Sequence, residues 1–482
     1  MSYSQERASR LGHVPIVLSP AVADALKNWD IPSLADPDES EITARCVAVS
    51  DLPLERRPAP AFALAFDGSS QEVEAKAGYP SIRVGFFQIA GVYVDILRFL
   101  GAANDGLLDV RELERAQVTQ TVNSVLPGSN VFVGGASGSG SLRIELERAF
   151  ASSRITDFGP PFSLTDALLT IHGAPGSPAS SIKLSKCPVC GSAGIGVGNF
   201  VDIEGSHCNE PLCGSPLYVT DVLRIYEEFA EDSSNVLTLT RAMNISERLL
   251  LVSYLDGFYR TSRKSLSNGL FITDGPLAVY GPIAPMKSQF SSYWEQLCAG
   301  LEREDLAPPL LVGIEKTGRF VDHAHAIREA ILPGHVMMLD TPYVNRHIVN
   351  QPEDHFYGKD EFYGRRFLYR TTTGEVLVVT VPRVPGGPPY EKPSFDGASG
   401  FARQASESWE SYPTLRATLE SLDSLQTRLY PDAVIPVALA HSASSLPLGT
   451  GKSVLTLLAQ QNLGMPQDSV SVSRFQFSRP KV

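Results

Sequence analysis

The sequence predicts an α/β protein with a small zinc-ribbon module inserted in a larger domain, and three observations predict it. Short apolar runs, "AFALAF" from Ala61 and "LFIT" from Leu270, read as buried strands, and each ends in Asp-Gly. Stretches with apolar residues at helical spacing lie around them. The longest, Met243 to Arg260, sets Leu249, Leu250, Val252, Tyr254 and Leu255 on one broad face. Four of the six cysteines fall in one window, Cys187-Pro-Val-Cys190 and Cys208-Asn-Glu-Pro-Leu-Cys213.

In order along the chain, the first strand runs from Phe62 to Asp67 and a turn is expected at "DGSS". Residues 81–96 read as one or two strands of a hairpin, and Asp109 to Leu126 as a helix with Asp109 as its N-cap. The glycine-rich 134–141, "GGASGSGS", lacks the lysine of a phosphate-binding loop and reads as a linker before the helix "LRIELERAFASS". His172 to Ser181 is a second small-residue linker. After the cysteines, 216–232 reads as strand then helix, and "RTSRKSLSN" after the long helix reads as a loop. "PLGTGKS", from Pro447, has Leu446 where a nucleotide-binding loop needs glycine, so a turn into the helix "KSVLTLLAQQNL" is expected. His323 and His325 fall in a helical pattern, where positions two apart diverge, and His347 and His355 flank a polar loop.

With 482 residues, 43% hydrophobic and 20% charged, the chain has the composition of a folded protein of two or three domains. The start, "MSYSQERASRLGH", lacks a basic-then-apolar signal, which leads us to expect a cytoplasmic protein. A net charge of -12 argues against a polycation that coats nucleic acid. Two local basic clusters are candidate phosphate contacts: Arg260, Arg263 and Lys264, and Arg365, Arg366 and Arg370. Solvated surface charge is their other reading.

Two cysteine pairs on tight turns, each followed by glycine, can close a tetrahedral site around a zinc ion. His207 adjoins Cys208 and could exchange for one sulfur. A site with four protein ligands has no open position, so this zinc would be structural, and chemistry must lie elsewhere. Cys46 and Cys298 are isolated and read as core residues.

The two strand-ending aspartates, Asp67 and Asp274, lie about 200 residues apart in sequence. Carboxylates delivered to one point by neighbouring strands repel unless a divalent cation sits between them. Glycine after each aspartate lets the chain turn away or lets a bulky ligand come close.

From about Phe62 to Leu463 the chain resembles the NurA-domain nucleases, in the longer branch that carries an inserted zinc ribbon. The stretches that carry the resemblance are "AFDGSS", "CGSPLYVTDVLRIYEEF", "ISERLLLVSYLDGFYR", "LFITDGPLAVYGP", "GIEKTGRFVDHA", "YGKDEFYGRRFLYRTTTGE" and "YPDAVIPVALAHSASSLPLGTGKSVL". The resemblance implies an RNase H-like mixed sheet flanked by helices, a site for Mn or Mg ions, a homodimer, and docking on a HerA-type hexameric ATPase translocase. On its motifs Asp67 matches the first acidic position, Glu247 the helix glutamate, Asp274 the later strand-end aspartate, His441 the C-terminal histidine and Lys316 a basic residue near the site. Asp256 is the substitute for Glu247 if the spacing to Asp274 is misplaced. The implied segments are an N-terminal extension at 1–60, nuclease core at 61–170 and 221–464, the zinc-ribbon insertion at 171–220 and a tail at 465–482.

The mechanism implied by this resemblance is hydrolysis of DNA phosphodiesters at two metal ions roughly 4 Å apart, bridged by Asp67, with Glu247, Asp274 and His441 completing the ligands and Lys316 against the scissile phosphate. A histidine ligand suits Mn. DNA end processing and anti-phage defence are both consistent roles. The competing expectations are a catalytically inactive adaptor for the translocase and a stand-alone RNase H-like nuclease.

Overall fold

A computed structural model describes residues 13–29, 37–54, 57–78, 80–102, 117–159, 161–194, 196, 198–352, 357–385, 408–426, 434–446 and 450–465. The expectations at 109–116, His355, 447–449 and 466–482 lie outside them. The strands are β1 (Cys46–Ala48), β2 (Phe62–Lys76), β3 (Ile82–Asp95), β4 (Gln117–Pro127), β5 (Ile182–Leu184), β6 (Asn199–Val201), β7 (Ser206–His207), β8 (Pro216–Leu217), β9 (Gly269–Asp274), β10 (Leu310–Glu315), β11 (His335–Met338), β12 (Arg365–Arg370) and β13 (Val376–Val381).

Nine of these make one mixed sheet in the order β1-β11-β12-β13-β10-β9-β2-β3-β4. Within it β2, β3 and β4 form an antiparallel meander, β9 runs parallel to β2, and β10 runs parallel to β9. That order, a meander continued by two parallel strands beside its first strand, is RNase H-like, as the sequence led us to expect. Residues 46–48, within the segment read as an N-terminal extension, form the edge strand β1.

Side-chain alternation along β2 divides the interior in two. Phe62, Leu64 and Phe66 point to one face, where they pack with Leu249, Leu250 and Leu255 of the long helix Val236–Thr261. Ala63 and Ala65 point to the other, against Leu419 and Leu422 of helix Leu415–Ser424 and Val437 and Ala440 of helix Ile435–Ser444. Phe66 and Leu64 are fully buried, each contributing about 1.5–3 kcal/mol by removal from water. No helix among the described residues is long and apolar enough to cross a membrane.

Five local expectations are corrected. The "DGSS" stretch is no turn: β2 continues through it, paired to β3 from Phe62 to Lys76, because Asp67 and Ser69 can stay on one face while Gly68 occupies the other. Gln117–Pro127 is strand β4, not helix; its Val and Thr residues suit the pleated sheet edge beside β3. The glycine-rich linker instead starts the helix Gly138–Ser152: Ser137 caps it, and the Glu231 carboxylate accepts from the Gly138 and Ser139 N–H groups at 3.0 and 3.1 Å. Beyond β8 the chain makes two short 3-10 turns, Val219–Leu223 and Ile225–Glu228, because Arg224 adopts a left-handed φ of 57° that ends the first turn. Where a loop was expected after the long helix, Ser262 ends that helix and caps a second one, Arg263–Ser267, accepting from Ser265 N–H at 3.2 Å.

Residues 182–217 make two two-stranded sheets, β5-β6 and β7-β8, and Arg143, buried in an ion pair with Asp221, reaches the last of these strands through the Pro216 carbonyl. Arg143 donates from Nε and Nη2 to the two carboxylate oxygens of Asp221 at 2.7 Å each, and from Nη2 to the Pro216 carbonyl at 2.8 Å. Arg143→Met leaves the Asp221 charge buried without its partner, so unfolding free energy in a denaturant titration is expected to fall by about 3–5 kcal/mol.

Candidate metal centre at the ends of the parallel strands

The C-terminal ends of β9 and β10 meet the middle of β2, where its parallel pairing with β9 stops at Phe66 and Thr273. β9 ends at Asp274, after which Gly275 takes a φ of +83° and turns the chain, a conformation that strongly favours glycine. β10 ends at Glu315, which delivers Lys316 beside Asp274; its Nζ lies 2.8 Å from Asp274 Oδ2. From β2, Asp67 points to the same face as Ala63 and Ala65, toward the helix Ile435–Ser444, where His441 Nδ1 lies 2.8 Å from Asp67 Oδ2. The ligand atoms of Asp67, Asp274 and His441 all lie within 4.8 Å of one another.

Glu247 approaches from the opposite face. It sits on the long helix, buried, and stands outside that three-residue group. The strand makes room for it at Gly68, where a Cβ would fall 2.7 Å from Glu247 Oε1. Arg248 bridges the same ground: its Nη1 lies 3.4 Å from Glu247 Oε2, and its Nη2 donates to the carbonyls of Asp274 and Pro276 at 3.4 and 3.1 Å. Sequence reasoning named Glu247 but passed over its approach to Gly68, and passed over Arg248, although the arginine directly follows the glutamate it holds.

Electrostatics mark this place as one that favours a cation. Burial, and then the nearby Asp274 charge, raise Asp67 to about 6, against the opposing pull of Lys316, His441 and the Gly68 N–H. That N–H donates to Asp67 Oδ1 at 2.7 Å. Burial pushes Glu247 up to about 8, Arg248 opposing and the charges of Asp67 and Asp274 adding to the rise. Two carboxylate oxygens and an imidazole nitrogen within 4.8 Å form a hard, oxygen-rich donor set, and it fits Mn or Mg.

Asp256, the substitute ligand, lies elsewhere. Its carboxylate accepts from the Gly176 N–H at 2.7 Å and from Arg260 Nε at 2.8 Å, about two and a half turns along the long helix from Glu247. Of the basic clusters, Arg260, Arg263 and Lys264 line an open cleft of about 720 Å³, with Arg263 paired to Glu304 and stacked on Tyr259. Arg366 is buried, donating to Glu315 Oε1 at 2.5 Å between the rings of Phe320 and Phe362, and Arg370 donates to the carbonyls of Arg328 and Ile331. Arg365 opens β12, half-buried. His323 Nε2 pairs with the Tyr343 hydroxyl at 2.9 Å, away from the centre.

In the inserted module Cys187 Sγ lies 3.9 Å from Cys213 Sγ and Cys190 Sγ 3.8 Å from Cys208 Sγ, and all four lie within 4.8 Å of one another. Zn–S bonds of about 2.3 Å in a tetrahedron give edges of about 3.8 Å, so the four sulfurs fit zinc. His207 is outside the group. Gly191 and Gly214 follow the two cysteine pairs with φ of +73° and +57°, turning the chain back as their position in the sequence suggested.

The raised values carry a pH dependence whose sign is fixed. A carboxyl that holds its proton more tightly folded than unfolded lends stability below its unfolded pKa, and that stability is lost as pH rises through the folded value. The metal-free protein is therefore expected to melt at falling temperature as pH rises from about 4 through 6 and 8. Asp67→Asn and Glu247→Gln should flatten that slope, and added Mn should raise the melting point most at the alkaline end.

No protein-family model and no curated protein matches the chain. Among solved structures it is similar to the NurA nuclease from Sulfolobus solfataricus, 11% identical over 95% of this chain and 98% of that one, with a TM-score of 0.34. A second crystal structure of NurA is 10% identical over 96% of this chain and 99% of that one, with a TM-score of 0.25. Likeness that distant leaves the case for any activity to the side chains at the strand ends.

Proposed function

We propose that this chain is a NurA-type deoxyribonuclease, dependent on Mn or Mg, that works as a homodimer with a HerA-type hexameric ATPase translocase in DNA end processing or anti-phage defence. The observation that carries the reading is the convergence of Asp67, Asp274 and His441 within 4.8 Å where the parallel pairing of β2 and β9 stops, with Lys316 against Asp274. The sequence motifs that bring these residues in family order support it.

A divalent ion held by Asp67, Asp274 and His441 would supply Lewis acidity for hydrolysis of a phosphodiester. The chain's own groups then have separate tasks. Lys316, held in place by Asp274, can turn its ammonium toward the scissile phosphate and offset charge that builds there. Glu247, poised by burial near neutral pH, can add a further carboxylate from the other face of the sheet. His441, more than half exposed, would be open to an incoming strand. The cleft lined by Arg260, Arg263 and Lys264 offers phosphate contacts without base readout.

The test is cleavage of linear duplex and single-stranded DNA with Mn, Mg or chelator, with and without the cognate translocase. Asp67→Ala and Asp274→Ala are expected to lose cleavage by about a hundredfold or more. Absence of cleavage by the folded wild type under every condition would replace the nuclease with the adaptor. Elemental analysis should find one zinc per chain, lost in Cys187→Ser, while Asp67→Ala keeps it.

A further inference from the structure

We propose that Ser69 and Gln88 are positioning residues that grip the end of the helix Ile435–Ser444 and so fix the His441 imidazole against Asp67. The inference rests on the metal-centre reading and deepens it. The last carbonyls of that helix have no partner within the helix itself.

Ser69 Oγ lies 2.5 Å from the Ser444 carbonyl, to which it donates, and accepts from the Leu446 N–H at 2.8 Å. Gln88 Nε2 donates to the neighbouring Ala443 carbonyl at 2.6 Å. Ser69 and Gln88 are directly opposed across β2 and β3, so their side chains share one face of the sheet and act on the helix end together. Asp67 is two residues before Ser69 on the same strand and therefore on that same face. One short stretch of β2 thus contacts both the imidazole and the Ser444 carbonyl of the turn that bears it, while β3 holds the Ala443 carbonyl.

The ring needs that support. Its side chain is 61% exposed, so packing does not hold it, and it sits in the last turn of a ten-residue helix, where fraying is greatest. Hydrogen bonds that anchor Ala443 and Ser444 remove the freedom of the turn and leave the side-chain rotation to be set by Asp67. The first serine of "DGSS" accordingly has a task distinct from that of the aspartate.

The experiment is a double-mutant comparison on the full chain. Ser69→Ala and Gln88→Leu are each expected to lower Mn-dependent cleavage by about tenfold to a hundredfold. Ser69→Thr, which keeps the hydroxyl on a β-branched side chain, should restore it. In a His441→Ala background neither change should cost anything more, because a residue acting only through the imidazole has nothing left to position. Losses that multiply with His441→Ala, or wild-type rates in Ser69→Ala and Gln88→Leu, overturn the proposal. Mn titration, followed by the signal of the free ion, separates this from the nuclease reading. If wild type binds Mn yet cleaves no DNA, a tenfold weaker affinity in Ser69→Ala that His441→Ala does not compound sustains the positioning role while the nuclease reading fails. Equal affinities, or no Mn binding by wild type, overturn it. Should Ser69→Ala not fold by circular dichroism, Gln88→Leu carries the same comparison.

Discussion

Repulsion between acidic side chains brought together out of water is the constraint on which the rest of this structure depends. Asp67 is buried and Asp274 is close enough to raise its pKa, and neither strand can withdraw without breaking its pairing in the sheet. The surroundings answer with cationic and donor groups: Lys316 on Asp274, the imidazole on Asp67, the Gly68 amide on Asp67, and Arg248 beside Glu247. Each is fixed by a different element, which is why so much of the chain is committed to one small volume.

Parallel pairing makes the convergence possible. β2, β9 and β10 run the same way, so residues far apart in sequence reach the same level of the sheet, and the helices on its two faces add side chains from above and below. The cysteine cluster is a separate matter: its four sulfurs form their own closed set, and Arg143 reaches that region through the Pro216 carbonyl, a group that the metal centre does not use.

Much of this was legible in the sequence because the signals were local and chemical. Cysteine spacing announced the four-sulfur cluster, and the long helix showed its apolar face. Asp67 and Asp274 stood out because a carboxylate at the end of an apolar run is costly without a purpose. What was hidden depended on pairing. Asp-Gly-Ser locally favours a turn over a strand; the fifteen-residue β2 exists because β3 pairs with it on both sides of that stretch. Gln117–Pro127 looked helical by spacing but became a strand beside β3, tertiary pairing overriding periodicity. Arg224's left-handed backbone, and the capture of the Gly138 and Ser139 amides by Glu231, likewise needed the partner's position in space.

Gly68 gives the sheet a window. Elsewhere β2 is a partition, with large side chains on the long-helix face and small ones on the other, and the two apolar interiors do not meet through it. At this one residue a carboxylate from the first layer shares a backbone amide's neighbourhood with one from the second. The two layers are therefore not independent: sliding the long helix by a single residue rise, about 1.5 Å, would move a buried carboxyl directly behind Asp67. At that opening the layer of the long helix and the layer that carries His441 come within reach of one backbone amide, at the one residue of β2 that has no side chain to keep them apart.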